Sequence, residues 1–168
     1  DELYSYDEIN QVTGMTRGQL NATKTAIVSD ANYAETFAFD ATGNWTGYNQ
    51  DTNGDGTFEL NQLRTHNAAN ELTAISNSTS NITTDANGNM TKVPKPETWG
   101  AGYNLVYDGW NRLVEVIDSL TINLVAQYEY NGLNHRVLKK TYTNGNLTET
   151  REFFFNKNWQ CLEEYLVS

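Results

Sequence analysis

The sequence predicts an all-β fold, built of serial antiparallel β-hairpins. Three observations predict it. A short strand–turn–strand unit recurs along the chain. Aromatic residues recur in register just before most of the turns. The chain also holds 22 Asn and 12 Gly but only two prolines, Pro94 and Pro96. Asn and Gly tolerate the left-handed backbone of tight turns, whereas proline would interrupt ladders.

The clearest unit is Leu105–Val116, which reads LVYDGWNRLVEV. Apolar and polar residues alternate up to Tyr107 and again from Leu113, which is the period of a half-buried strand. Asp108, Gly109 and Asn111 between them mark a turn, because Asp and Asn bond their own backbone there. Seven copies align on the Asp or Asn at positions 7, 40, 67, 85, 108, 131 and 156. The first runs Tyr4–Asp7 with Asn10 and Val12. The second runs Phe37–Asp40 with Gly43 and Trp45. The third is His66-Asn67 with Asn70 and Leu72, and reads as degraded. The fourth is Ile82–Asp85 with Gly88 and Met90. The fifth is the clear unit, with Asp108 and Asn111. The sixth is Tyr128–Asn131 with Asn134 and, one place late, Val137. In the seventh, Phe153–Asn156, Trp159 stands where Gly or Asn is usual. Spacings of 33, 27, 18, 23, 23 and 25 residues mean a fixed hairpin core with variable loops.

This pattern resembles the YD-repeat, or RHS-repeat, family, whose unit runs aromatic-x-Tyr-Asp-x-x-Gly-Arg-Leu. The resemblance covers nearly the whole chain and is best at Tyr107–Leu113 and Tyr128–Val137. It implies long antiparallel sheets that spiral into hollow shells, as in bacterial toxin complexes, polymorphic toxins and the extracellular teneurins. Toxin-bearing members end in a self-cleaving core with paired aspartates in Asp-Pro contexts. No Asp-Pro dipeptide occurs here, so that activity is not carried over.

Between the units, Thr13–Glu35 has polar outer parts, with one further strand expected over Lys24–Val28. Asn77–Asn81 reads as a loop. Lys92–Gly102 carries both prolines and reads as a crossing segment rather than a ladder strand. Asn144-Gly145, flanked by Thr143 and Asn146, is the strongest short hairpin signal.

Residues 1–168 are expected to form one domain. The chain opens mid-repeat with no visible signal peptide, so it reads as a processed chain or a segment of something longer. Net charge is −10, and Lys and Arg do not cluster. Nucleic acid and anionic membrane surfaces are therefore not expected partners. No stretch reaches the roughly 20 apolar residues of a membrane-spanning helix. Cys161 is the single cysteine and reads as a buried small hydrophobe on the face of Trp159. Six Asn-x-Ser/Thr sequons occur; Asn77 and Asn146 lie in the most loop-like places and are the candidate glycosylation sites.

Asp51-Thr52-Asn53-Gly54-Asp55-Gly56-Thr57-Phe58-Glu59 is the one ligand-like stretch. It matches the first half of an EF-hand calcium loop, with Asp51, Asn53, Asp55, Thr57 and Glu59 as the ligand set for Ca²⁺. Position twelve is Gln62 rather than a bidentate Glu, and the flanks alternate like strands. A glycine-rich hairpin tip explains the same residues.

No catalytic set is present, and no enzyme activity is expected. His66 and His135 each stand in a repeat position, with no Ser-His-Asp, CxxC, HExxH or phosphate-loop pattern around them. Asp7, Asp40, Asp85 and Asp108, with Asn131, Gly43, Gly88 and Asn111, recur at turns, so turn formation accounts for them. Two functions stay open. One is a non-enzymatic extracellular scaffold, bacterial in type, forming part of a shell, wall or fibre and joining neighbours or copies through its terminal strands. The other is a carbohydrate- or partner-binding module using an aromatic-rich curved face. Buried aromatics between hairpins favour the first, a solvent-facing row the second.

Overall fold

The computed structural model describes residues 1–96 and 98–167. The chain is all-β, with fourteen strands and no helix among the described residues. Two compact units divide it, Asp1–Asn77 and Ser78–Ser168. The first holds a six-stranded sheet: β1 (Glu2–Tyr6), β2 (Val12–Leu20), β3 (Ile27–Phe39), β4 (Trp45–Asp51), β5 (Leu60–His66) and β6 (Leu72–Ile75). The second holds an eight-stranded sheet: β7 (Thr83–Thr84), β8 (Met90–Lys95), β9 (Thr98–Tyr107), β10 (Leu113–Asp118), β11 (Leu124–Tyr130), β12 (Arg136–Thr143), β13 (Asn146–Phe155) and β14 (Cys161–Val167). In both sheets, spatial order follows chain order, every pair is antiparallel, and the sheet does not close into a barrel.

Each repeat turn has one geometry. The residue three places after the motif Asp or Asn donates its N–H to that residue's carbonyl, and the motif N–H donates to the carbonyl four places on, as in Asn10 to Asp7 and Asp7 to Gln11. This is a type I turn closed by a left-handed residue, the usual three-residue hairpin loop. That residue is Asn10, Gly43, Asn70, Gly88, Asn111, Asn134 or Trp159, every one at positive φ between 60° and 86°. A β-bulge follows in all seven hairpins. Tyr6 pairs with Val12 but Ser5 with Gly14, leaving Thr13 extra. The same step leaves Thr46, Thr73, Thr91, Val114, Val137 and Leu162 extra. In three copies the bulged Thr meets a hydroxyl across the hairpin: Ser5–Thr13, Thr65–Thr73 and Thr83–Thr91, at 2.9–3.1 Å.

Several readings of the sequence change. Val137 is not a displaced pairing residue: Arg136 pairs with Tyr130, so the sixth turn has the common length and Val137 is its bulge. Thr13–Glu35 is largely strand, because its polar residues lie on a sheet whose faces are open. Lys92–Gly102 is not a crossing segment; β8 and β9 pair through it. Pro94 is tolerated because Gly102, opposite it, turns both backbone groups away, its N–H to Ser119 Oγ and its carbonyl to the Ser119 N–H. The β7–β8 ladder also stops at Lys92, before Pro94. Glu97, within that stretch, lies outside the described residues. Cys161 is exposed rather than buried, because β14 is the outer strand of its sheet.

Few apolar side chains are buried among the described residues: Met15 in the first unit, and Ile82, Pro94, Ala101 and Ala126 in the second. Each sheet is therefore held by its ladders and cross-strand side chains rather than by a packed second layer. Gly102 is where backbone crowding is tightest in the second sheet, since a Cβ there would meet Ser80 Oγ at 2.4 Å and the Val93 carbonyl at 2.8 Å. Gly102→Ala is expected to cost about 1–3 kcal/mol in urea unfolding, the range for overpacking. Gly109→Ala, with nothing within 4 Å of the added Cβ, is expected to change stability by less than about 0.5 kcal/mol.

Candidate functional site

The repeated feature with the most chemistry is the row of motif turns. In every copy the motif Oδ1 accepts two backbone N–H groups, from the residues two and four places on. For Asp108 these are Trp110 at 2.9 Å and Arg112 at 3.1 Å; for Asn131 they are Leu133 and His135. Asp7, Asp40, Asn67, Asp85 and Asn156 do the same.

The second side-chain atom decides its partner. In three of the Asp copies the residue four places on donates to the second oxygen: Asn44 to Asp40, Asn89 to Asp85 and Arg112 to Asp108, at 2.7–2.9 Å. Where the motif residue is Asn, its amide donates instead, and the partner is an acceptor: Glu71 Oε2 at 2.6 Å, His135 Nδ1 at 3.2 Å and Gln160 Oε1 at 2.8 Å. The Asn copies are therefore matched pairs of opposite polarity, not decayed ones.

These hydrogen bonds hold the carboxyls of Asp40, Asp85 and Asp108 below the usual carboxylate range. The Asn44 amide is the main cause at Asp40, Asn89 at Asp85 and the Arg112 guanidinium at Asp108. At Asp118, beyond the motif, the chief cause is its ion pair with Lys95.

The same partner residues reach the next hairpin. Asn44 also donates to Asn70 Oδ1 at 2.9 Å, Asn89 to Asn111 Oδ1 at 2.9 Å, and Arg112 to Asn134 Oδ1 at 3.1 Å. His135 packs edge-on to Trp159, with centroids 4.3 Å apart, and stacks on Phe155 at 4.6 Å. A line of side chains thus follows the turn edge of each sheet.

The motif aromatics are partly buried, and cations lie between them. Arg112 sits over Trp110 and Tyr130, Arg136 over Tyr128 and Phe153, and Arg64 over Trp45 and Tyr48. Ring-on-ring contacts among Phe37, Phe39, Trp45 and Tyr48 stay within one hairpin. Beside the backbone ladders, guanidinium–aromatic contacts link the side chains of neighbouring hairpins, each worth about 0.5–1 kcal/mol when exposed. Tyr4 and Tyr6, on the outer strand β1, are open, as are Phe154 on β13 and Trp110 and Trp159 at their turns.

Asp51–Glu59 forms the tip between β4 and β5. Carboxylate oxygens of Asp51, Asp55 and Glu59 lie within 4.8 Å of one another. Asp51 is buried, and its oxygens accept N–H groups from Asn53, Gly54 and Gly56 at 3.2, 2.6 and 2.8 Å. Burial alone would raise its pKa, but these amide bonds outweigh it and the net shift is downward. Glu59 accepts from the Thr52 N–H at 2.6 Å and from Asn53 Nδ2, Asn53 Oδ1 accepts from the Asp55 N–H, and Asp55 Oδ1 accepts from the Thr57 N–H. The tip thus closes on its own hydrogen bonds. Gln62, the twelfth position, is buried in β5 and accepts from Arg64. Asn77 and Asn146 are both exposed, Asn77 after β6 and Asn146 as the first residue of β13.

No family model matches the chain, and no curated protein matches it. Solved structures do. A chain of the Photorhabdus luminescens Tc holotoxin pore aligns with a TM-score of 0.61 and 19% identity, covering 92% of this chain and 8% of that one. Chains of the TcdB2-TccC3-Cdc42 and TcdB2-TccC3-TEV structures align with TM-scores of 0.55 and 0.54, each at 14% identity over 95% of this chain and 9% of theirs. This chain spans under a tenth of each of these three chains, and what is shared at these identities is the fold. Tc toxin chains contain YD-repeat shells, so the fold agrees with the resemblance carried by the turn motif.

Two tests follow from the turn and tip geometry. Asn67→Asp sets two carboxylates against each other at Glu71 and is expected to destabilise the chain; adding Glu71→Asn recreates the Asp40–Asn44 pair and is expected to restore stability. The double-mutant cycle in urea should show favourable coupling of about 1 kcal/mol. Asp51→Ala orphans the amides of the tip and is expected to lower the melting temperature by several degrees in EDTA. Repeating the melts in millimolar Ca²⁺ tests the ligand set: a rise in the unmodified chain that is lost in Asp55→Ala identifies a cation site, and equal melts with and without Ca²⁺ leave a self-closed hairpin tip.

Proposed function

We propose that this chain is a non-enzymatic structural segment of an extracellular repeat wall, in which neighbouring hairpins, subunits or copies cover the outer strands of its sheets. The observation that carries this reading is the side-chain line along the turns. It spends the motif residues on joining one hairpin to the next, which leaves none of the motif carboxylates set up as an acid, base or nucleophile.

Three further observations support it. The partly buried aromatics are engaged with guanidinium groups, which favours a scaffold over a sugar-stacking row. The sheets bury little apolar surface on their own, so they gain from neighbours. The Tc chains with which this chain shares its fold come from multi-subunit toxin structures. No helix among the described residues is long and apolar enough to cross a membrane.

Hydrogen exchange tests the reading on the 168-residue chain alone and within the native assembly purified from its source. Amides of β1 and β14 are expected to exchange rapidly in the isolated chain and to become protected in the assembly. Unchanged exchange at both strands, together with binding on a glycan array that is lost on substituting Tyr4 and Tyr6, would establish the carbohydrate-binding alternative instead.

A further inference from the structure

The residue four places after the motif Asp or Asn is Gln11, Asn44, Glu71, Asn89, Arg112, His135 or Gln160. Of these, only the imidazole of His135 changes charge near neutral pH. It is also the only buried one, at 5% exposure. Its surroundings fix one protonation state. Asn131 Oδ1 accepts the N–H groups of Leu133 and His135, so its amide nitrogen faces the ring and donates to Nδ1 at 3.2 Å. Nδ1 is therefore bare, and the ring's one proton sits on Nε2. That nitrogen is buried and has no hydrogen-bond partner among the described residues. One ring face lies on Phe155, and Trp159 meets the ring edge-on.

Backbone pairing does not reach this joint. On the turn side the β12–β13 ladder ends at Leu138 and Glu152. Beyond that pair, the sixth and seventh hairpins meet through side chains: His135 with Phe155 and Trp159, and Arg136 over Phe153. The charged groups around the ring are cations. Arg112, from the fifth turn, donates to the Asn131 carbonyl and to Asn134 Oδ1. Arg136 follows His135 on β12 and lies over Tyr128 and Phe153. Lys157 is the one charged residue of the seventh turn, and β13 meets the ring through uncharged Phe155. No carboxylate pairs with the ring among the described residues, and Asp108, in the fifth turn, is taken up by Arg112.

We propose that His135 makes the joint between the sixth and seventh hairpins acid-sensitive: a proton taken up at Nδ1 breaks the bond from Asn131 and undocks the seventh turn from the sixth. A protonated Nδ1 sets donor against donor. The Asn131 amide cannot turn over to offer its oxygen, because two backbone N–H groups hold that oxygen. The added charge is also buried beside Arg112 and Arg136 with no carboxylate to pair it. Phe155 attracts a cation to its face but supplies no acceptor for the new N–H. An undocked ring takes the proton freely, near the ordinary imidazole value of about 6.5. Undocking therefore takes up a proton in acid, so the joint is held fully above about pH 6.5 and weakens as the pH falls below it. The joints made by Asn44, Asn89 and Arg112 keep their charge through this range, which confines the loosening to one place. The other histidine, His66, lies on β5 in the first unit. The device does not depend on the chain being part of a wall.

Hydrogen exchange on the full 168-residue chain, corrected for the intrinsic effect of pH, tests this at the β12–β13 ladder, whose amides are protected while the two hairpins are docked. Opening at the Leu138–Glu152 end is expected to rise about tenfold between about pH 7.5 and about pH 5.5, the effect of one proton taken up near 6.5. His135→Gln supplies the acceptor that Gln160 gives to Asn156, without a titrating ring, and is expected to keep its protection constant over the same range. Asn131→Asp sets a carboxylate against the ring and is expected to reverse the sign, with protection greater in acid, because the protonated ring then has a partner. A ladder end that opens equally at both pH values in the unmodified chain overturns the inference. So does a rise in His135→Gln as large as in the unmodified chain, or acid loosening that persists in Asn131→Asp.

Discussion

The structure depends on one small arrangement, a side-chain oxygen that accepts two backbone N–H groups inside a three-residue turn. A turn that reverses the chain this tightly leaves amide groups pointing inward with no strand partner. An unpaired amide costs about 1–3 kcal/mol when buried, and the motif Oδ1 takes two of them in every copy. Asp and Asn suit this position because each carries an oxygen at the right reach; Ser is shorter, and Glu has more freedom to lose. With the turn fixed, the left-handed fourth residue and the bulge after it follow in all seven hairpins. The bulge increases the local twist of each hairpin, so the same device that reverses the chain also shapes the sheet.

Because each turn is self-sufficient, the sheets need little core. Only small or isolated apolar residues are buried, and Gln62 and Asp51 are more enclosed than any of them. Interactions between hairpins are taken over by amides along the turn edge and by arginines lying on aromatic rings. An amide pair in partial contact with water contributes about 0.5–1.5 kcal/mol, and a cation–aromatic contact about as much. A stack of weak, equivalent joints gives a chain whose stability grows with each neighbour it gains.

Much of this was legible in the sequence, for a physical reason. Turn chemistry is local, so Asp7, Asp40, Asp85, Asp108 and Asn131, with their Gly or Asn partners, announce themselves within five residues. The all-β architecture follows from those turns and the alternation around them. What depends on the neighbouring strand was harder to see. Pro94 reads as a breaker until Gly102 is known to turn its backbone toward Ser119. Cys161 reads as buried until β14 is known to be an outer strand. Val137 reads as a displaced pairing residue because a bulge adds a residue without any signal of its own. The alternation that places the aromatics does not show that Arg64, Arg112 and Arg136 lie on the rings of neighbouring hairpins.

The most informative signal was present in the sequence and was misread. Asn67 with Glu71 looks like a worn copy of an Asp motif when its first residue is read alone, and Asn131 with His135 and Asn156 with Gln160 carry the same exchange of Asp for Asn. Read as pairs, they obey a rule: an acceptor-only carboxylate is followed four places on by a donor, and an amide that can donate is followed by an acceptor. His135 fits because the Asn131 Oδ1 is fixed by two backbone N–H groups, which forces its amide nitrogen toward the ring and makes Nδ1 the acceptor. Trp159 extends the same logic by different means. A tryptophan at φ 66° is strained, yet it gives His135 an edge-on aromatic contact in place of the hydrogen bond that an asparagine would offer. The constraint acts on the joint between residues and not on either residue, which is why a unit can lose its consensus aspartate and keep its structure.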